Sequence, residues 1–185
     1  DDELRRGKPT CHKGYGETLA VLAGDALQPE AFAILAGAEG LSSRQRAEAV
    51  AVLARACGAD GMVAGQVLDI QGMSRTEEEL RLLHSLKTGA MIKGAALLGC
   101  VAADAGEEEK TAAASYADAL GLAFQIRDDM LDVIADEKDL GKPIGSDKEE
   151  GKNTFVDLMG LERCWKLVEE LSLIHISEPT RPISI

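Results

Sequence analysis

Apolar residues recur every three to four positions along most of the chain, which is the spacing of one face of an α-helix. On this spacing we predict helices at about 16–37, 43–70, 76–105 and 107–136, and a last helix that begins at about residue 154. Pro29 should kink or interrupt the first of them. No segment alternates apolar and polar residues with a period of two, and no repeat appears, so the predicted fold class is all-α.

Residues that favour helix starts and close packing support these boundaries. Ser42 or Ser43 can cap the second helix, and Thr76, followed by three glutamates, can cap the third. The second helix also contains three glycines at three- and four-residue spacing, although a glycine in a helix costs about 1 kcal/mol relative to alanine. This stripe, Gly58, Gly61 and Gly65, indicates close approach of either a ligand or, as the simpler explanation, a neighbouring helix.

The fourth predicted helix carries three carboxylates, Asp128, Asp129 and Asp132, within an otherwise apolar stretch. At about 100° per residue, Asp128 and Asp132 lie one turn apart, with Asp129 beside them and Gln125 in the same arc. We predict that the opposite arc faces the core, through Tyr116, Leu120, Ala123, Leu131 and Ile134.

Like charges one turn apart destabilise a helix by a few tenths of a kcal/mol, and a bound cation reverses that sign. Mg²⁺ prefers carboxylate oxygens and binds through one or two carboxylates together with substrate phosphates. The trio therefore indicates a Mg²⁺–diphosphate site. A solvated acidic face is the alternative, but the apolar flanks and the glycine- and lysine-rich loop predicted at 139–153 favour the site.

Composition narrows the class of protein further. The 185 residues suffice for one sizeable core, and 45% hydrophobic with only 3% aromatic residues favours closely packed helices over a β-sandwich. A net charge of −12 argues against a nucleic-acid partner. The four cysteines are far apart, so we expect reduced, mostly buried thiols in a cytoplasmic protein, and no apolar run long enough to span a bilayer.

Both ends of the chain depart from the pattern of a complete protein. Asp1 is not a plausible gene start, so we expect that an N-terminal part is missing. From residue 171 onwards the sequence resembles the translation of a sequencing adaptor. We therefore predict one domain at 1–170 and a non-native tail at 171–185.

Seven short motifs run through the chain: Leu4–Thr10, Gly24–Leu27, Gly61–Gln66, Lys87–Ala90, Gln125–Asp132, Gly141–Asp147 and Gly151–Thr154. In this order and approximate spacing they resemble those of the short-chain polyprenyl diphosphate synthases, the farnesyl and geranylgeranyl diphosphate synthase family. The resemblance covers residues 1 to about 170. It implies an isoprenoid synthase-type bundle of helices around a deep central cleft, in which two aspartate-rich motifs hold Mg²⁺ against an allylic diphosphate.

The resemblance also implies roles for individual residues. Asp128, Asp129 and Asp132 match the second aspartate-rich motif and would be the metal ligands. Four residues match catalytic positions that line the allylic diphosphate site: Lys87, Thr88, Gln125 and Lys142. Arg5 matches an arginine that faces the allylic diphosphate and Arg6 one that faces isopentenyl diphosphate. Lys152 and Asp147 match less specifically, as residues that reach the substrate through water.

The family's first aspartate-rich motif is matched only by its trailing residues, Asp1 and Asp2, so we expect the 185-residue chain alone to be inactive. The implied reaction is head-to-tail condensation of isopentenyl diphosphate with an allylic diphosphate, by a protein that forms a homodimer when intact. Residues available for an apolar cleft wall are Leu19, Leu22, Met62 and Phe124.

Three alternatives to this function make different demands on the sequence. A class I terpene cyclase shares the fold and a metal motif, and a non-catalytic partner subunit of a prenyl synthase would show eroded aspartates. A carboxylate-bridged di-iron bundle would need Glu-x-x-His pairs, which neither His12 nor His84 provides.

Overall fold

Helices form nearly all of the regular structure in the computed structural model, which describes residues 3–5, 7–72, 74–134 and 153–177, with side chains up to residue 172. In chain order they are α1 (Cys11–Tyr15), α2 (Glu17–Ala36), α3 (Ser43–Cys57), α4 (Met62–Ile70), α5 (Glu77–His84), a π-helical turn (Ser85–Gly89), α6 (Ala90–Ala102), α7 (Glu107–Ile134), α8 (Phe155–Met159) and α9 (Leu161–Ser177). Two antiparallel two-residue strands, β1 (Leu4–Arg5) and β2 (Lys8–Pro9), precede them, with Leu4 opposite Pro9. The predicted all-α class is confirmed.

The predicted helix starts coincide with side-chain caps. The Ser42 side chain accepts a hydrogen bond from the Gln45 amide, and Gln45 in turn contacts the Ser42 amide. Thr76 and Glu79 form the same reciprocal pair at the start of α5. Thr154 caps α8 in this way too. Each pair satisfies amides of the first turn that have no partner within the helix.

Two of the predicted helices are divided by glycines. The segment predicted as one helix at 43–70 ends at Cys57 and restarts at Met62, because Gly58 and Gly61 have non-helical backbone angles. Only glycine fits at position 61, since a Cβ there would lie 2.2 Å from the Ala56 carbonyl oxygen. The last predicted helix is broken at Gly160, whose φ of 78° is a conformation that other residues rarely adopt. The predicted interruption at Pro29 does not occur, since α2 continues through it.

The main core lies where α5, α7, α8 and α9 meet. Its fully buried residues are Leu80, Ile126, Met130, Phe155 and Cys164. Leu171 on α9 packs against this cluster, and α9 continues to residue 177. The tail boundary at residue 171 stays a prediction. A second packing region joins α3 to α6 and α6 to α7.

The predicted core-facing side of α7 is wrong. Tyr116, Leu120 and Ile134 are 43%, 41% and 49% exposed. The buried residues of α7 are instead Ala117, Ala119, Gly121, Ile126, Asp129, Met130 and Asp132. The reason is that α7 has neighbours on two sides, the π-turn and α6 on one and α8 and α9 on the other. Small residues permit the first approach, so the larger apolar side chains do not mark the buried face.

The helix α2 is exposed along its whole length, with no buried residue. An 18-residue window of this 20-residue helix has a mean hydropathy of 1.4, which meets the length and composition of a membrane-spanning helix. This match rests on length and composition only, so the expectation that no apolar run is long enough to span a bilayer stays a prediction. A single helix of this kind is weak support for a membrane span, because apolar helices of water-soluble folds have the same composition.

All four cysteines are free thiols, as expected, but only Cys164 is buried. Burial raises the pKa of the Cys164 thiol, and the nearby carboxylates of Asp129 and Glu77 raise it further. A thiol with a raised pKa is a poor nucleophile, so Cys164 is a packing residue of the core.

Candidate diphosphate site

The π-helical turn between α5 and α6 contains Lys87 and Thr88, two of the predicted catalytic residues. A π-turn widens the helix by one residue and is frequent at functional sites. Both side chains are half-buried. The widened turn therefore presents a cationic and a hydroxyl group from a helix that the sequence predicted to be regular.

Glycines hold this turn between two other helices. A Cβ on Gly65 of α4 would lie only 2.1 Å from the Lys87 amide nitrogen, and one on Gly121 of α7 would lie 3.1 Å from the Gly89 Cα. No larger residue fits at Gly65 without moving the turn. The glycine stripe predicted to permit close packing does so at Gly65, whereas Gly58 and Gly61 belong to the break between α3 and α4.

Lys87 forms an ion pair with Asp69, the single charged residue of α4. The Lys87 Nζ lies 2.7 Å from the Asp69 Oδ2, and the two side chains are 34% and 12% exposed. The ammonium is thus held by a less exposed carboxylate and remains accessible to a ligand. Sequence reasoning missed Asp69; its signal was a lone charge within the apolar sequence of α4, Met62–Ile70.

His84, the last residue of α5, lies near several charged and polar residues of the candidate site. Burial and the Lys87 ammonium lower its pKa from 6.5 to about 4, against the opposing effects of Asp69, a hydrogen bond with Gln125, and Asp128. The imidazole is therefore neutral at pH 7, and its Nδ1 is buried without a hydrogen-bond partner. Lys87, Gln125 and Asp128 thus all lie near enough to this ring to influence its pKa, and the roles predicted for them stay predictions.

The three aspartates of the acidic trio on α7 do not share one environment. Asp128 is exposed, whereas Asp129 and Asp132 are 7% and 6% exposed. The Asp129 Oδ2 accepts a hydrogen bond from the Phe155 amide at 2.7 Å. The buried Oδ1 of Asp132 has no hydrogen-bond partner. Within the described part of the chain, no three His, Cys, Asp or Glu side chains come close enough to hold a metal ion together.

These positions nevertheless fit a magnesium ion. Mg²⁺ keeps several waters and takes one or two protein carboxylates, with the remaining ligands from substrate phosphates. Asp128 and Asp132 lie one helical turn apart, and the unpartnered oxygen of Asp132 is an acceptor that a cation would satisfy. The site suits a metal that arrives with a diphosphate, because the described residues offer too few ligands to hold it alone.

The remaining predicted site residues are only partly described. Arg5 lies exposed in β1, and none of the ion pairs between described residues involves it. Its predicted contact with a diphosphate stays a prediction. Four further residues lie outside the described part of the chain: Arg6, Lys142, Asp147 and Lys152.

An exposed apolar stripe runs along α7 towards the acidic residues. Tyr116, Leu120 and Phe124 are spaced one helical turn apart and are 43%, 41% and 56% exposed, and Asp128 stands one turn further on. Other apolar residues predicted as cleft walls are also exposed, namely Leu19, Leu22 and Met62. One face of α7 thus passes from apolar to anionic along its length.

Comparison with known proteins identifies the family. The family model described as polyprenyl synthetase matches residues 1–179. The chain belongs to the polyprenyl synthetase family. It is 45% identical over 176 residues to farnesyl diphosphate synthase of Escherichia coli, covering 92% of this chain and 59% of that enzyme. With farnesyl diphosphate synthase of Bacillus subtilis it shares 40% identity, covering 99% of this chain and 62% of the relative.

Solved structures of polyprenyl synthetases share the fold. A geranyltransferase from Helicobacter pylori, in complex with magnesium and isoprenyl diphosphate, superposes with a TM-score of 0.86 at 35% identity, over 98% of this chain and 61% of that one. The geranylgeranyl pyrophosphate synthetase of Pyrococcus horikoshii gives a TM-score of 0.74 at 38% identity, over 91% of this chain and 53% of its own. The chain thus spans about half to three fifths of the length of the curated relatives it matches.

Proposed function

We propose that the protein containing this chain catalyses head-to-tail prenyl transfer. Isopentenyl diphosphate condenses with an allylic diphosphate to give a longer prenyl diphosphate and free diphosphate. The observation that carries the proposal is the meeting of Lys87, Gln125 and Asp128 around a neutral His84, at the end of the apolar stripe of α7. Cationic, polar and anionic groups then face the diphosphate, while an apolar wall faces the hydrocarbon tail.

The reaction begins when the C–O bond of the allylic diphosphate ionises, leaving a delocalised carbocation and a diphosphate anion. The alkene of isopentenyl diphosphate attacks the cation, and a proton is lost to complete the new double bond. Groups held in place before the reaction stabilise the negative charge that develops on the leaving oxygens. Lys87 fits this role because Asp69 and the close contact at Gly65 fix its position.

A divalent metal belongs to this proposal, with Asp128 and Asp132 as the residues that would hold it. Mg²⁺, when bound, neutralises charge on the diphosphate and so favours its departure. Asp128 is placed to reach a ligand from an exposed position, and Asp132 from a buried one. The predicted contributions of Thr88, Arg5, Arg6, Lys142 and Lys152 to substrate binding complete the proposal.

The apolar stripe of α7 fits the other half of the substrate. A prenyl tail has no polar groups, so it gains by leaving water for the wall formed by Tyr116, Leu120 and Phe124. A wall without water also protects the carbocation from capture, which would give an alcohol instead of a longer chain. A longer exposed apolar surface along α7 should therefore favour longer prenyl products.

Chain elongation is favoured over the two alternatives. The relatives named above are farnesyl and geranylgeranyl diphosphate synthases, and the acidic residues of the second motif are intact in this chain. A terpene cyclase would release a hydrocarbon or an alcohol, and a non-catalytic partner subunit would release nothing. A homodimer and a cytoplasmic location remain predictions, and light scattering on the purified protein tests the first.

The deciding experiment is product analysis. The full-length protein that contains this chain is incubated with Mg²⁺, geranyl diphosphate and labelled isopentenyl diphosphate, and the products are separated by chromatography. A longer labelled diphosphate is expected. A cyclic hydrocarbon, an alcohol or no product at all would contradict the proposal.

Lys87→Ala tests the assignment of the diphosphate side of the site. Loss of a charge-assisted hydrogen bond should raise the KM for the allylic diphosphate by roughly tenfold or more. Lys166→Ala is the matched control, since Lys166 forms an exposed pair with Glu162 on α9. Equal kinetics for the two variants would show that Lys87 does not face the substrate.

A further inference from the structure

The second aspartate of the acidic trio faces away from the first. Successive residues on a helix point about 100° apart, so Asp128 and Asp129 face different directions. Asp128 is exposed, while Asp129 is 7% exposed and packs among the core elements. A ligand that reaches Asp128 from solvent therefore meets a different side of α7 from the one that carries Asp129.

The Asp129 carboxylate contacts the start of α8. Its Oδ2 accepts a hydrogen bond of 2.7 Å from the amide of Phe155, the first residue of that helix. Amides of a first helical turn have no partner within the helix, and this one is buried with a residue that is 0% exposed. An ionised acceptor makes one of the stronger hydrogen bonds found in proteins.

The Phe155 ring in turn contacts a residue of the candidate diphosphate site, His84. Its centroid lies 5.6 Å from that of the His84 ring, with the two planes inclined by 32°. His84 directly precedes the π-turn that presents Lys87. The same stretch of chain has a second tie, a hydrogen bond of 3.0 Å from the Asn153 side chain to the Ser74 carbonyl oxygen.

We propose that Asp129 is a positioning residue that anchors Phe155, and not one of the metal ligands. By fixing Phe155 it supports the His84 ring, and through His84 the Lys87 turn. The metal-binding role of the trio then falls to Asp128 and Asp132. The consequence for the diphosphate site rests on the proposed function, whereas the anchor itself rests only on the described contacts.

The test compares Asp129→Asn, Asp129→Ala and Asp128→Asn in the full-length protein that contains this chain. Asparagine keeps an oxygen acceptor at position 129 and removes the charge, whereas alanine removes both. Hydrogen exchange measured by mass spectrometry reports the protection of residues 153–159, and calorimetry reports binding of inorganic pyrophosphate in the presence of Mg²⁺. The first measurement follows the anchor and the second follows the ligand site.

An anchor predicts a specific pattern. Asp129→Ala should speed exchange at 153–159 by about tenfold or more, Asp129→Asn should do so less, and Asp128→Asn should leave exchange there unchanged. In calorimetry, Asp128→Asn should weaken Mg²⁺-dependent pyrophosphate binding more than Asp129→Asn does. If the alanine variant does not fold, the two asparagine variants decide the matter on both measurements.

Two results would overturn the proposal. One is wild-type exchange at 153–159 in Asp129→Ala. The other is equal weakening of pyrophosphate binding by Asp128→Asn and Asp129→Asn with wild-type exchange in both, which would make Asp129 a ligand. Absence of Mg²⁺-dependent pyrophosphate binding in the wild type would instead count against the proposed function, and the exchange measurement would still decide the anchor.

Discussion

Asp132 is buried in α7 with one oxygen that has no hydrogen-bond partner. A buried, incompletely satisfied carboxylate costs stability, and Asp128 one turn away adds like-charge repulsion. Residues kept in a costly environment are typical of sites that bind ligands, because the ligand supplies the missing interaction. Asp132 is therefore the residue at which stability and function should conflict most directly.

Asp132→Asn should separate these two effects. Without ligand, the variant should be as stable as the wild type or up to about 0.5 kcal/mol more stable, because a like-charge pair is removed. The stabilisation given by pyrophosphate with Mg²⁺ should shrink. Urea denaturation with and without the ligand measures both, with Asp118→Asn, an exposed residue of α7, as the control. Lower stability without ligand, together with an undiminished ligand effect, would contradict this account.

His84 should make the stability of the fold depend on pH. Its pKa is about 4 in the folded chain and 6.5 ordinarily, so the unfolded chain takes up a proton first as the pH falls. Stability is then complete above about pH 6.5 and decreases down to about pH 4, by an amount on the order of 2–3 kcal/mol. The charges of Lys87 in the π-turn, Asp69 of α4 and Asp128 of α7 also influence the pKa of His84. They therefore shift the pH range over which stability is lost.

The comparison with His84→Gln isolates this contribution, because glutamine does not titrate. Denaturation midpoints of the two proteins at pH 7 and pH 5 give the difference in their pH dependence. The contribution of the carboxylates is common to both proteins and cancels in this difference. The wild type should lose more stability than the variant over this interval. Parallel curves would mean that His84 titrates at its ordinary pKa.

At the scale of elements, the site depends on how closely α4 and α7 approach the π-turn. Backbone contacts leave no room for a side chain at Gly65 and only a tight fit at Gly121, so the position of Lys87 is set by helix packing. Asp69, one helical turn beyond Gly65, then meets the Lys87 ammonium. The geometry of the cation is thus a property of three elements and not of the lysine alone.

Gly65→Ala should destabilise the chain. The added methyl group would overlap the Lys87 backbone at 2.1 Å, and overpacking of this kind costs about 1–3 kcal/mol. Gly99→Ala in α6 is the matched control, because a Cβ there meets nothing within 4 Å and alanine favours the helix by about 1 kcal/mol. Opposite signs in urea denaturation are expected, and a destabilisation at Gly99 equal to that at Gly65 would refute the packing argument.

At the scale of the whole molecule, one side of the helical bundle is closely packed and the other is open and apolar. The core at α5, α7, α8 and α9 is closed, whereas α2 and the stripe of α7 expose large apolar side chains. A ligand at the π-turn would contact elements on both sides of α7. Binding there should therefore stabilise the fold as a unit.

Pyrophosphate with Mg²⁺ should raise the melting temperature. A ligand at one hundred times its dissociation constant adds about 2.7 kcal/mol, and for a chain of this size each kcal/mol corresponds to roughly 2–4 °C. EDTA should abolish the shift if the metal bridges protein and phosphate. Sulfate serves as the control anion, and an equal shift with EDTA present would argue against a metal at Asp128 and Asp132.

Prediction from sequence succeeded where the determinants are local. The caps at Ser42 and Thr76 and the start of the last helix at Thr154 depend on residues within one turn. The family motifs also predict that Lys87, Gln125 and Asp128 share one site; all three influence the pKa of His84, and their roles stay predictions. The π-turn was not predicted, because nothing in its local sequence distinguishes it from an ordinary helix.

The buried face of α7 shows why other features of the fold and the site could be determined only from the structure. The sequence prediction took the core face to be the arc opposite the acidic residues, and this rule selected Tyr116 and Leu120, which are exposed. Burial depends on which neighbours approach, and small residues allow the closest approach. The pairing of Lys87 with Asp69 and the contact of Asp129 with Phe155 join residues that are distant in the chain.

The amino-acid sequence by itself determined the helical class, most helix starts, the family and the residues that carry the chemistry, since these follow from spacing, capping and motif order. Only the tertiary structure decided which carboxylate faces solvent, which one is tied to α8, and what holds the lysine. Those properties arise from contacts between helices, and a helix does not specify its neighbours through its own periodicity.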